Sequence, residues 1–304
     1  MLRKPPWSVN NRLVDESHDR YNAVMNDRVR SPIVAGTFYP RQPDQLRQMI
    51  DSFLVDEKAG VQEPLAFPTG LISPHAGYVY SGSVAGAGFQ EVAKLGRPDI
   101  VIILGASHTG IDPWFSLSPH SAWATPIGQS LVDSDVVSQL VSAGFQTADA
   151  PFAREHSIEV QLPFIQHLWG AETRIVPICI VPSPLHELRE AARALVDALE
   201  DRKALIVASS DFTHYQPDRI ARTTDHAALD RIIELDIPAF HQLCQSKQLT
   251  ICGIGAIELL LMVAEQVGLL GARLVDYATS GDATGDLSSV VGYASVLFAK
   301  ENYG

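Results

Sequence analysis

Short apolar runs rich in β-branched residues recur along the chain, each followed by small and polar residues and then by an amphipathic or small-residue stretch. That alternation predicts strands alternating with helices. Four runs carry it: Thr69–Ser73 (TGLIS), Asp99–Leu104 (DIVIIL), Arg174–Val181 (RIVPICIV) and Ala204–Ala208 (ALIVA). After the first, SGSVAGAGFQEVAKL reads as a helix whose Gly82, Gly86 and Gly88 permit close packing. The most apolar stretch, residues 251–270, is interrupted by Glu258, Glu265 and Gln266. A membrane span needs about 20 nearly unbroken apolar residues, so a buried helix is expected instead. The stretch RLVDYATSGDATGDLSSVVGYASVLFA predicts two strands around a tight Gly/Asp-rich turn. EHSIEVQLPFIQHLWG has helical spacing that puts Glu155 and Glu159 on one face, with Pro163 expected to kink or end the helix. A solvated face is the expectation for Glu155.

These elements predict an α/β fold: a single domain with a mainly parallel, partly mixed central sheet flanked by helices. Residues 1–30 lack periodic hydrophobicity and are expected to form an arm, flexible or ordered by docking, ahead of a body at 31–304. No internal repeat or low-complexity tract divides the body.

Composition narrows the function. A formal net charge of −12 repels phosphate backbones and anionic headgroups, so neither nucleic acid nor a membrane surface is the expected partner. The acidity lies in the body: the first 30 residues hold six basic and four acidic side chains, leaving −14 for the rest. Three cysteines, Cys179, Cys244 and Cys252, make no disulfide framework, and with no secretory signal at the N-terminus they imply the reducing cytoplasm.

In parallel sheets ligand sites form beyond the carboxyl ends of the strands, where His75, His108 and His214 all fall. His75 and His108 with Cys252 make a candidate mononuclear metal site, because imidazole and thiolate together suit iron, copper or zinc and leave positions open for substrate. Cys252 precedes the helical run GAIELLLMVAEQV, where a helix N-terminus is expected to lower its thiol pKa. Cys179 reads as core, and Cys244 falls on a helix-like segment. Asp211 and His214, three residues apart, either orient each other for proton transfer or only cap the next turn. His156 is a further candidate for the same cleft. Tyr277 and the loop 280–286 border a pocket, bind a cation weakly, or form a plain hairpin turn, which is the expectation. Phosphate-cradling, dinucleotide and serine-hydrolase motifs are absent from the sequence.

Seven ordered motifs carry a resemblance: SPIVAGTFYP, LISPHAGYVYSG, VIILGASHTG, EHSIEVQLPFI, ASSDFTHY, TICGIGAI and YATSGDATGDLSSVVGYAS. Together they resemble the Memo family, known in prokaryotes as AmmeMemoRadiSam system protein B, over residues 31 to about 299. The resemblance implies a fold like that of the class III extradiol dioxygenases, with a metal held by His75, His108 and Cys252. It implies His214 as acid/base, with Asp211, His156, Tyr78 and Tyr277 around the cleft. It further implies a small-molecule or peptide substrate, and radical SAM and AMMECR-type proteins as partners. The expected function is a metal-dependent oxidoreductase using iron or copper. A peptide- or protein-binding module that has lost oxygen chemistry, and a zinc hydrolase on the same residues, are the alternatives.

Overall fold

The computed structural model describes residues 28–54, 67–110, 113–170, 172–199 and 202–300, so the predicted arm at 1–30 lies outside the described residues except for its last three. Those three belong to the body. Val29–Arg30 forms strand β1, parallel to β5 (Ala122–Thr125), which makes a hairpin with β6 (Gly128–Leu131).

The four predicted apolar runs form the middle of the main sheet. β2 (Thr69–Ser73), β9 (Ala204–Ser209), β3 (Ile100–Ala106) and β8 (Arg174–Ile180) lie side by side in that order, all parallel. Only Arg174 among them escapes burial, which is why they read as continuous apolar runs rather than alternating ones. Antiparallel strands extend both edges. On one side β12 (Val290–Ala299) pairs with β2, and β11 (Gly271–Thr279) and β10 (His214–Gln216) pair with β12. On the other, β4 (Phe115–Leu117) pairs with β8, and β7 (Gln146–Thr147) joins β4 in parallel.

Helices cover both faces. A Cβ on Gly70 would meet Leu260, while next to it along β2 Leu71 lies against Gly88, so the two faces carry different helices. One is α8 (Ile254–Val267), backed by α5 (Leu185–Ala198); the other is α2 (Tyr78–Ala93), with α1 (Pro43–Phe53) and α4 (Leu162–Trp169) around it. The predicted buried helix is thus α8, and no helix among the described residues is long and apolar enough to cross a membrane. The remaining longer helices among the described residues are α3 (Ser134–Ser142), α6 (Asp218–Ile233) and α7 (Ile237–Lys247).

Two expectations change. Pro163 opens α4 instead of ending a helix, because the first-turn positions need no N–H donor, and Glu159–Gln161 ahead of it is a 3₁₀ turn. The Gly/Asp-rich loop holds a short helix, α9 (Ser280–Thr284), capped reciprocally by Thr279 and Asp282.

Candidate metal centre

The register pairs Ser73 with Ser209, Leu104 with Ala208 and Ala106 with Ile180, so the central parallel strands finish at nearly one level. The segments leaving that level carry the chemistry. His75 follows β2, His108 follows β3, and the loop 153–158 rises beside β3 with His156. Gly105 makes that approach possible: a Cβ there would stand 2.4 Å from Ile158 Cγ1 and 2.7 Å from Ser157 Oγ.

Three imidazoles converge. His75, His108 and His156 each offer a nitrogen within 4.8 Å of the others, an arrangement that could hold a metal ion. The rings of His108 and His156 stack at 4.7 Å between centroids, and His75 stands edge-on to both. His75 is 1% exposed.

Hydrogen bonds fix the tautomer of His75. Ser209 Oγ donates its proton to Ser157 O at 2.7 Å and accepts from Gln161 Nε2 at 2.8 Å. It can therefore only accept from His75 Nδ1, 2.9 Å away, which leaves His75 Nε2 without a proton, as a lone pair. His108 is held in the same sense. Its Nδ1 lies 3.0 and 3.1 Å from the two oxygens of Glu155, and its own N–H donates to that carboxylate at 2.8 Å. A carboxylate behind an imidazole is the usual outer partner of a metal-binding histidine.

Burial, then the nearby charge of His108, pushes the His75 pKa down to about 3. Burial and His75 bring His156 to about 4, so both rings are neutral near neutral pH. The hydrogen bond that His108 donates to Glu155 raises the His108 pKa. Glu155 itself would be raised by burial, but His108 and the N–H groups of His108 and Ser157 outweigh this and hold it at about 2.

Glu155 is fully buried, contrary to the solvated face expected for it. The reason is its backbone setting. Its carboxylate gathers the N–H groups of His108, His156 and Ser157, while its carbonyl accepts from Arg30 Nη2 at 2.7 Å. Arg30 also pairs with buried Glu159 at 2.8 Å and lies over the Trp123 ring. Glu159 takes further bonds from Tyr39 OH and the N–H groups of Ile33 and Val34. The end of the predicted arm is thus a bolt through the metal-site loop.

Cys252 stands outside the three-histidine group but beside it, with Sγ 3.1 Å from His75 Nε2 and 3.2 Å from the N–H of Asp211. That spacing suits two donors of one ion. Gly253 lets the segment press onto the end of β9, since a Cβ there would lie 2.5 Å from Ser210 Cβ. The thiol pKa is raised, not lowered as expected: burial and the Asp211 carboxylate outweigh the start of α8. Cys179 and Cys244 are buried thiols pushed up to about 12.

Asp211 is buried, and its Oδ1 accepts from the N–H of His75 at 2.7 Å. It does not orient His214. That ring has Nδ1 within 2.7 Å of Phe212 O and 2.8 Å of Thr250 O, so two carbonyls hold the Nδ1 proton and leave Nε2 open. His214 is near enough to His75 and Asp211 for its charge to act on both.

The two tyrosines expected in the cleft are placed elsewhere. Tyr78 is buried against Tyr39, Phe53 and Phe164, its hydroxyl donating to Val160 O. Tyr277 donates to Asp225 at 2.8 Å and packs on His226 and Arg222. In the loop after it, Asp282 binds Arg222 and Asp286 binds Ser288, which accounts for its acids without a cation.

Beside Cys252 a cavity of about 790 Å³ is lined also by Ser107, Leu185, His241 and Glu258.

Comparison with known proteins gives a consistent family. A family model described as Memo-like protein matches residues 30–297. A MEMO1 family protein of Methanopyrus kandleri is 39% identical over 281 residues, covering 89% of this chain and 99% of its own. One from Thermotoga neapolitana is 36% identical, covering 89% of this chain and all of its own. Among solved structures, an uncharacterized protein of Escherichia coli K12 is similar in fold, with a TM-score of 0.50 at 15% identity, covering 75% of this chain and 98% of that one.

Proposed function

The chain belongs to the Memo family, and on that premise we propose that it is a metal-dependent oxidoreductase whose iron or copper ion is held by His75, His108 and Cys252, with His156 alongside. The observation that carries this reading is the set of three imidazole nitrogens within 4.8 Å, two of the rings having Nδ1 bound outward, with the Nε2 of His75 facing Cys252 Sγ. Soft sulfur beside nitrogen favours a transition metal over magnesium or calcium. Such an ion would supply electron transfer and a binding place for an oxidant or substrate oxygen.

The protein's own groups have separate tasks. Glu155 keeps the His108 proton on Nδ1, and Ser209 does the same for His75. The N–H of Asp211 donates to Cys252 Sγ and so favours the thiolate when a cation is near. His214 Nε2, left open by the two carbonyls on Nδ1, is the group that moves protons to and from substrate.

Three free thiols support a reducing, cytoplasmic setting. The ordered motifs support a small-molecule or peptide substrate, and radical SAM and AMMECR-type proteins of the same system as partners.

The test is a redox titration of protein purified without air. A reversible spectroscopic change at the bound ion is expected, and His214→Gln should keep it while slowing reoxidation by added dioxygen. Zinc at full occupancy with no redox response would contradict the reading and favour hydrolysis.

A further inference from the structure

Glu258 lies in the middle of α8 between Ile257 and Leu259 and is 2% exposed. Oε1 accepts from His241 Nδ1 at 2.6 Å. Gln245 Nε2 lies 2.8 Å from His241 Nε2, so both ring nitrogens of His241 are engaged. Oε2 has no hydrogen-bond partner among the described residues, and Glu258 is part of the cavity wall. Burial raises the pKa of this carboxyl, while the bond and charge of His241 draw it back.

With Oε1 taken by His241, a buried carboxylate whose Oε2 is open to a cavity still offers a charged acceptor to a ligand. The rest of the wall is largely apolar, with Ile180, Leu185, Ile251 and Ile254 beside Ser107 and Cys252. A divalent ion does not suit it. Its donors do not converge: among the described residues the group placed to hold an ion is His75, His108 and His156, not Glu258 with its neighbours. An anion would meet Glu258 unscreened. An alkyl chain ending in a hydrogen-bonding cation satisfies both the apolar wall and the acid, and the cavity volume lies in the range of small-ligand sites.

We propose that this cavity is the substrate subsite for a molecule or peptide side chain carrying a primary ammonium or guanidinium on an alkyl stem, with Glu258 receiving the cation and the far end of the ligand lying at Cys252. The role of that far end rests on the metal-centre reading; the cation binding does not.

Ligand-observed NMR titration of the full chain with pentylammonium, pentylguanidinium and neutral pentanol tests it. The cations should bind saturably and more tightly than pentanol, and Glu258→Gln should weaken them by about tenfold or more while leaving pentanol unchanged, as expected for a charge-assisted bond. Should that variant fail to fold by circular dichroism, Leu185→Trp, at the partly exposed rim, carries the test by blocking the cations. Equal affinity of wild type and Glu258→Gln, equal affinity for pentanol, unimpeded binding in Leu185→Trp, or no saturable binding overturns the proposal. Metal content of Glu258→Gln is measured in parallel. Cation binding by a chain that holds no metal would refute the metal reading alone.

Discussion

Glu155 is the residue on which the geometry of two histidines depends, since one carboxylate holds the His108 ring and the N–H groups of His108, His156 and Ser157. An amide of the same shape accepts through one oxygen only. Glu155→Gln is therefore expected to lower stability by about 1–3 kcal/mol, the cost of leaving buried N–H groups without an acceptor, measured by denaturant unfolding. It should also reduce metal affinity by about 10- to 100-fold. Unchanged affinity would mean that His108 is oriented by something else. His75, His108 and His214 were legible because each follows an apolar run at a strand end. Glu155 was not, because a glutamate three residues before an apolar stripe looks like a solvated face unless the loop is known to fold back under β3. Glu258 left a clearer trace. An acid set deep in an apolar helical run is rarely buried without a partner or a purpose.

At the level of elements, the edge of the sheet is tied to α6 by Arg222, which bonds Asp218 within the helix and Asp282 in α9. Arg222 and Thr279 hold the Asp218 carboxyl below its ordinary value of 3.8. For Asp282, burial acts upward but the Thr279 N–H and Arg222 prevail, so it too is lowered. A carboxylate depressed on folding contributes stability above its unfolded pKa and loses it as pH falls through the folded value. Thermal midpoints of the wild type should therefore drop more steeply below about pH 4 than those of Arg222→Met. At neutral pH that variant should cost about 1 kcal/mol or less, because the contacts are partly exposed. Parallel pH profiles would show that the tie is idle. The sequence marked this loop by its Gly-Asp pairs, and the choice between turn and helix lay in a capping box whose Thr279 falls at the end of a β-type run. Pro163 is a similar case, since whether proline ends or begins a helix depends on where the first turn falls.

Across the whole molecule, the α/β alternation in the sequence corresponds to four parallel strands whose carboxyl ends share one level. The acidic balance of −12 suits a centre that holds cations. The mixed edges and the use of Arg30 as a buried bolt depend on contacts far apart in the chain, Arg30 to Glu159 among them, which no local pattern encodes. The central claim is that the level surface of strand ends is built around a metal ion. Quantitative metal analysis of protein purified without air, repeated on His75→Ala and Cys252→Ser, tests it most directly. Near-stoichiometric iron or copper in the wild type, abolished by His75→Ala and sharply reduced by Cys252→Ser, is the predicted result; substoichiometric metal that neither substitution changes would contradict it.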